Sequence, residues 1–198
     1  NYGAAGSKYR TEIDSFVRVS AFGTATSGPD HFIVETKSGL KKTYGNLTAS
    51  IVYSNNEHGA DGSKVAWLLE KIEDTNGNTI QFAYVQDSET DAKYISEIRY
   101  GATGHLLKVA FEYEDREDSI PSYMKGSSLE ITQRLKMIRV FSASEEIHRY
   151  ELFFEESPIT SRSRLASVTK KIQTPNGDVQ VPATVFSYED ASQGWVDA

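Results

Sequence analysis

From Leu107 to Tyr113 the chain alternates without a slip: Leu107, Val109, Phe111 and Tyr113 share one parity, and Lys108, Ala110 and Glu112 the other. Alternation of period two is the pattern of a β-strand with one covered face. Ile80, Phe82 and Tyr84 repeat it against Thr79, Gln81 and Ala83, and Tyr94, Ser96, Ile98 and Tyr100 against Ile95, Glu97 and Arg99. The gaps between these segments are too short for helical crossovers, so neighbouring strands are predicted to pair antiparallel. Turn formers fall where such pairing needs them. Asn76-Gly77 lies between Ile72 and Ile80, and Asn176-Gly177 between Ile172 and Val179. An Asn-Gly pair predicts a type I′ hairpin, with positive φ at both central residues. Gly101 to Gly104 separates Tyr100 from Leu106, and Ser38-Gly39 separates Val34 from Tyr44. The reading is an all-β chain: an extended antiparallel meander of hairpins forming a large curved sheet or open sandwich, with little helix.

A repeat emerges when the hairpins are aligned. Phe82-Ala83-Tyr84, Ile98-Arg99-Tyr100, Phe111-Glu112-Tyr113 and Phe186-Ser187-Tyr188 each place an apolar residue, a variable one and a tyrosine together, and each is read as closing a strand. The spacing is uneven, which disfavours a symmetric propeller or a regular solenoid. Breaks are expected at Ser54 to Ser63, Asp115 to Ser128 and Glu155 to Ser163, all rich in turn formers or charge. A helical turn is a candidate near Leu129 to Leu135. No linker composition divides the chain, so residues 1–198 are read as a single β domain.

Composition narrows the function. The 198 residues carry a formal net charge of −7 with acids and bases interspersed, whereas nucleic-acid binding requires a clustered basic face. No run approaches the roughly 20 apolar residues of a membrane-spanning helix, and no N-terminal signal pattern is present. Cysteine is absent, which excludes disulfides, thiolate nucleophiles and cysteine-ligated metals. The chain begins at Asn1 and is expected to be a piece of a longer polypeptide.

Reactive constellations are sparse. His31, His58, His105 and His148 are the histidines, and none stands at the three- or four-residue spacing that puts two ligands on one helical turn. His58, among Asn55, Asn56, Glu57, Gly59 and Asp61, reads as a solvated loop histidine; His105 and His148 read as exposed strand-end residues. Asp74-Thr75-Asn76-Gly77-Asn78 opens like a calcium loop, but Thr79 and Val85 stand where that loop needs its glycine and bidentate glutamate. A hairpin turn explains the same residues. Glu112 with Glu114, Asp115 with Glu117 and Asp118, Glu145-Glu146 and Glu155-Glu156 are carboxylate pairs of the kind that line solvated faces and strand edges. No serine occupies a Gly-x-Ser-x-Gly elbow, and Asn46-Leu47-Thr48 is a chance-level glycosylation triplet. Eleven tyrosines and nine phenylalanines mostly share parity with Ile, Val and Leu, which favours packing over a sugar platform; Trp67 and Trp195 are the candidates if such a platform exists. No catalytic, cofactor-binding or metal-binding residue is assigned, no cofactor is expected, and the chain is not read as an enzyme.

A family resemblance runs through the chain. Tyr9-Arg10-Thr11-Glu12-Ile13-Asp14-Ser15-Phe16, Phe32-Ile33-Val34-Glu35-Thr36-Lys37-Ser38-Gly39-Leu40 with Tyr44-Gly45, Trp67-Leu68-Leu69-Glu70-Lys71-Ile72-Glu73-Asp74, Phe111-Glu112-Tyr113-Glu114-Asp115-Arg116-Glu117-Asp118, Arg162-Ser163-Arg164-Leu165 and Pro182-Ala183-Thr184-Val185-Phe186-Ser187-Tyr188 stand in the order seen in the SpvB family of bacterial toxins. The resemblance implies a segment near the N-terminus of a large secreted protein, similar to the B components of insecticidal toxin complexes and related to Rhs/YD-repeat proteins. In such relatives β-sheet strips wind into a shell around a C-terminal effector. The implied partners are neighbouring segments of the parent polypeptide and other toxin-complex subunits, with self-association through strand edges, and no nucleic acid or membrane. The alternative is a module binding carbohydrate or a host protein through exposed aromatics. Some SpvB-type parents carry an ADP-ribosyltransferase, whose Ser-Thr-Ser strand is missing here, so Glu112-Tyr113-Glu114 is not assigned that role.

Overall fold

A computed structural model describes residues 4–13, 15–23, 28–53, 63–87, 90, 92–101, 104, 106–124 and 127–189. Its strands are β1 (Lys8–Tyr9), β2 (Arg18–Phe22), β3 (His31–Glu35), β4 (Lys41–Tyr44), β5 (Ile51–Tyr53), β6 (Lys64–Trp67), β7 (Leu69–Glu73), β8 (Thr79–Gln86), β9 (Lys93–Gly101), β10 (Leu107–Met124), β11 (Ser127–Ser142), β12 (Glu145–Glu156), β13 (Ser163–Thr174), β14 (Gly177–Gln180) and β15 (Thr184–Val185). A 13-stranded antiparallel sheet runs in the order β1-β2-β3-β4-β7-β8-β9-β10-β11-β12-β13-β14, with β15 also on β13. Strand order follows chain order, the meander expected from the sequence, and the sheet does not close on itself. Strands β5 and β6, preceded by a 3-10 turn at Thr48–Ser50, form a separate hairpin between β4 and β7.

Pairing partners share a face, so the registers spell out each face. Phe82, Ile98, Val109, Val140, His148, Ile172 and Val179 form one lateral row across the strands from β8 to β14. The opposite face carries the row Ala83, Glu97, Ala110, Arg139, Arg149, Lys171 and Gln180. The alternation in the sequence is therefore an apolar face set against a charged one.

Among the described residues no second layer of sheet or helix covers the apolar row. Its members are half-buried or, at Val179, exposed, and the fully buried apolar residues among those described are Ala21, Ile51, Val52, Val65 and Ala92. Most of these lie at or near the β5–β6 hairpin. There Trp67 meets Phe32 edge-on at 5.0 Å and donates its indole N–H to the Pro29 carbonyl at 3.0 Å. The whole chain exposes 12998 Å², against roughly 9,300 Å² for a compact monomer of its mass. That excess is what a single layer predicts.

Three expectations are corrected. The hairpins at Asn76-Gly77 and Asn176-Gly177 form, but neither asparagine adopts positive φ, so the turns are not type I′. Pro175, whose ring holds φ near −65°, follows Thr174 and belongs at the second position of a type I turn. At the other hairpin Asp74 accepts from the backbone N–H groups of Asn76 and Asn78 at 2.9 and 2.8 Å, and only Gly77, at φ 81°, is left-handed. The expected break at Asp115 to Ser128 is strand as far as Met124, where β10 ends, with β11 beginning at Ser127, and the expected helical turn at Leu129 to Leu135 lies within β11. The charged run stays extended because its charges find partners on neighbouring strands, as described below. Finally, the Phe/Ile-x-Tyr triplets do not all close strands: Ile98-Arg99-Tyr100 stands at the end of β9, but those of β8 and β10 lie within their strands. The turn expected at Glu155 to Ser163 does separate β12 from β13, and that expected at Ser54 to Ser63 lies almost wholly outside the described residues.

Two glycine substitutions separate backbone from packing. Gly77→Ala, in open space, is expected to cost about 1 kcal/mol from its left-handed φ alone. Gly45→Ala, whose added methyl would collide with the Trp67 ring, is expected to cost about 2 kcal/mol more. Urea denaturation midpoints check both, and equal losses would contradict the packing of Trp67.

Candidate functional site

The most regular feature of the molecule is a bulge that recurs down the sheet. Tyr84 opposes Ile95, Tyr113 opposes Leu135, and Phe154 opposes Leu165, and at each point the register shifts by one residue. Tyr44 opposes Leu69 at a fourth such shift. The bulged strands share a pattern: Leu69-Glu70-Lys71-Ile72, Ile95-Ser96-Glu97-Ile98, Leu135-Lys136-Met137-Ile138 and Leu165-Ala166-Ser167-Val168. A β-bulge frees backbone groups and bends the strand. Here side chains of the next strand answer it: the Tyr84 hydroxyl donates to the Leu69 carbonyl, the Tyr113 hydroxyl to that of Ile95, and the Tyr188 hydroxyl to that of Leu165, each at 2.7 Å. Burial, assisted by a neighbouring tyrosine, raises the pKa of Tyr84 and Tyr113 above the ordinary phenol range, so both remain donors.

The residue ahead of the bulge completes the clasp. Arg134 lies over the Phe154 ring at 4.6 Å, Arg164 over that of Tyr188 at 4.7 Å, and Tyr94 packs on Tyr113 at 5.1 Å. The repeat seen in the sequence is thus real but was misaligned. Ile98-Arg99-Tyr100 is not a member, since Tyr100 pairs with Ile80 and Leu107 away from any bulge. A further member, not evident from the tyrosine pattern, is Leu152-Phe153-Phe154, which ends in phenylalanine.

The charged face is cross-linked in its own way. Arg139 bridges Glu112 and Glu146, Arg149 bridges Glu146, Glu151 and Asp178, and Lys171 reaches Glu151 at 2.7 Å. The three bases stand directly opposite one another, which is unfavourable, and the acids two positions away offset it. Hydrogen bonds that Arg149 donates to Asp178, Glu151 and Glu146 raise its pKa, and those that Lys171 and Arg149 donate lower that of Glu151. Exposed pairs contribute at most about 1 kcal/mol each, so the network's main effect is on register. A tighter cluster joins β10 to β13. The Asp118 side chain, 9% exposed, accepts from Arg116 at 3.0 and 2.8 Å and from the Ser163 N–H and hydroxyl at 2.8 and 2.9 Å. Arg116 first, then Ser163, hold its carboxyl well below the usual range.

None of the described residues weighed for chemistry converges with others on a site. His31 stacks on Phe22 at 4.8 Å. His148, expected at an exposed strand end, sits inside β12 in the apolar row, half-buried and edge-on to Tyr150; burial, then the charge of Lys170, lowers its pKa. His58, His105 and Trp195 lie outside the described residues. Asp74 spends its carboxylate on its own turn, including a 2.8 Å bond from the Asn78 amide. Glu112 and Glu114 are committed to Arg139 and Arg134. Among the described residues no group of three or more His, Cys, Asp or Glu is placed to hold a metal ion. An open groove of about 340 Å³ lined by Leu47, Ala49, Glu70, Phe82 and Arg99 gathers no such set.

The described residues thus form an open, single-layer antiparallel meander whose bulges are clasped at regular intervals. Residues 5–100 match the family model SpvB, Salmonella virulence plasmid 65kDa B protein, so the chain carries an SpvB-family segment, as its sequence led us to expect. No curated protein matches the chain. The fold is shared with the TcdB2-TccC3-Cdc42 crystal structure at TM-score 0.77 and 18% identity, over 93% of this chain and 12% of that one. It is shared with the Photorhabdus luminescens Tc holotoxin pore at 0.76 and 16%, over 91% and 11%. The N-terminal domain of effector protein SpvB from Salmonella typhimurium strain LT2 matches at 0.65 and 16%, over 92% of this chain and 69% of that domain. The chain thus spans about an eighth of the toxin-complex chain matched first.

Three substitutions test the clasp and the Asp118 cluster. Tyr113→Phe leaves the Ile95 carbonyl without its donor and is expected to cost about 1 kcal/mol. Phe154→Tyr restores the missing hydroxyl opposite Leu135 and is expected to raise the urea midpoint; a fall would contradict the clasp. Asp118→Asn is expected to cost about 3 kcal/mol at neutral pH by leaving Arg116 uncompensated. Because the folded Asp118 pKa is depressed, its contribution is whole above the ordinary Asp value of about 4 and is lost as pH falls below it. The stability gap between wild type and Asp118→Asn therefore narrows in acid, which denaturation at stepped pH will show.

Proposed function

We propose that this chain is a non-catalytic structural segment of a secreted bacterial toxin, a single domain contributing a strip of β-sheet wall to a shell that encloses or presents a C-terminal effector. The observation that carries the reading is the uncovered apolar row from Phe82 to Val179 in a sheet exposing far more surface than a compact chain. A domain that worked alone would be expected to cover such a row. A strip of wall acquires its cover and its lateral neighbours from the rest of the parent polypeptide. The shared fold with the toxin-complex structures, and the small share of their chains that is matched, support the same placement. Its partners are then the adjoining segments of the parent and other toxin-complex subunits, and its destination is extracellular.

Recognition of carbohydrate or a host protein through exposed aromatics receives less support. Trp67 is packed against Phe32 and tied to Pro29, and Tyr123, 73% exposed, has no described aromatic neighbour.

Isolated, the chain is expected to bind an apolar dye such as ANS and to self-associate in sedimentation velocity. Extending it by the adjoining parental segment is expected to reduce dye binding and raise the urea midpoint. A strictly monomeric chain without dye binding, unaffected by the extension, would overturn the proposal.

A further inference from the structure

The repeated clasp makes a specific statement about the edge of the sheet. In three units the strand carrying the aromatic is covered on its far side by another strand in a constant register. Phe82 and Tyr84 oppose Ile98 and Ile95; Phe111 and Tyr113 oppose Ile138 and Leu135; Leu152 and Phe154 oppose Val168 and Leu165. The residue after the aromatic opposes the one ahead of the bulge: Val85 faces Tyr94, Glu114 faces Arg134 and Glu155 faces Arg164. In the last two units these are ion pairs, at 2.8 and 2.6 Å.

The fourth unit has its inner half only. Thr184 and Val185 pair with β13, the Phe186 N–H donates to the Ala166 carbonyl at 2.9 Å, and Tyr188 clasps Leu165. Phe186-Ser187-Tyr188-Glu189 matches Phe111-Glu112-Tyr113-Glu114 at all but its second position. Among the described residues no strand lies on the outer side of this segment, and Val185, Phe186 and Tyr188 are 73%, 40% and 43% exposed.

We infer that Val185–Glu189 is an acceptor edge for one further antiparallel strand of pattern Arg-Leu-x-x-Ile/Val, with its arginine opposite Glu189, its leucine opposite Tyr188 and its Ile or Val opposite Phe186. The occupant is a segment of the parent polypeptide outside this chain, and in naming it so the inference rests on the wall reading above. A second copy of this chain cannot supply it in the folded state. Its own two such motifs, at Arg134 and Arg164, belong to β11 and β13, strands that already have a neighbour on each side within the sheet, and the opposite edge, Lys8–Tyr9, lacks the pattern. Backbone pairing supplies the attachment, and the Glu-Arg pair with two alternate side-chain contacts sets the register, which is how an added strand gains specificity.

The probe is a fluorescent peptide of the sequence Gln133–Phe141, added to the full chain at concentrations where the chain is monomeric. Binding by anisotropy is expected, with hydrogen-exchange protection confined to the Val185–Glu189 edge. Glu189→Arg in the chain is expected to weaken it at least tenfold, and a peptide carrying Arg134→Glu to recover most of that loss. No binding, or protection at β1 instead, overturns the inference. Binding indifferent to the charge exchange overturns the register. The outcome is separable from the wall reading. If the extended polypeptide gains stability while this edge stays unprotected, the acceptor edge fails and the wall stands; if the peptide binds in register while extension brings no gain, the reverse holds.

Discussion

Everything in this molecule depends on lateral strand pairing within one layer. A compact domain stabilises its sheet by packing a second layer on it, and the buried apolar surface carries most of the favourable free energy. Here the two faces of a 13-stranded sheet are left half-open, and the few fully buried apolar residues cluster mostly at the β5–β6 hairpin. Register must then be held by something other than a core, because a slip of one residue would exchange the apolar and charged faces.

Two devices hold it, one on each side of the problem. The bulge clasp locks each pair of strands to the next through a hydroxyl-to-carbonyl bond (Tyr84, Tyr113, Tyr188), a stacked base (Arg134, Arg164) or both, and it recurs from Leu69 to Tyr188. The charged face adds a network in which Arg139 and Lys171 are held by acids on neighbouring strands, and Arg149 by two acids of its own strand and by Asp178 two strands away. Bulges also bend and twist a sheet, so the same repeat that fixes register gives the sheet a basis for curvature. Shape and stability come from one element.

The strands, their antiparallel order and the sites of the hairpins were legible in the sequence because alternation and turn residues are local signals. Turn type was not, because Pro175 and the Asp74 carboxylate override what Asn-Gly prefers in isolation. The stretch from Asp115 to Leu135 read as a break because its charges look like a loop until Arg116, Asp118 and Ser163 are brought together from residues 47 apart or fewer. The repeat was half-legible: the tyrosine triplets were visible, but the bulge that gives them meaning is a tertiary feature, so Tyr100 was included and Phe154 left out. His148 was misplaced for the same reason, since nothing local says that it lies in line with Val140 and Ile172.

Cryo-electron microscopy of the full-length parent polypeptide tests the central claim most directly. The account predicts that this sheet forms part of a continuous wall around an enclosed space, one face turned inward and its strands flanked by others. A free-standing domain on a linker, with a second layer packed over the Phe82–Val179 row, would contradict it.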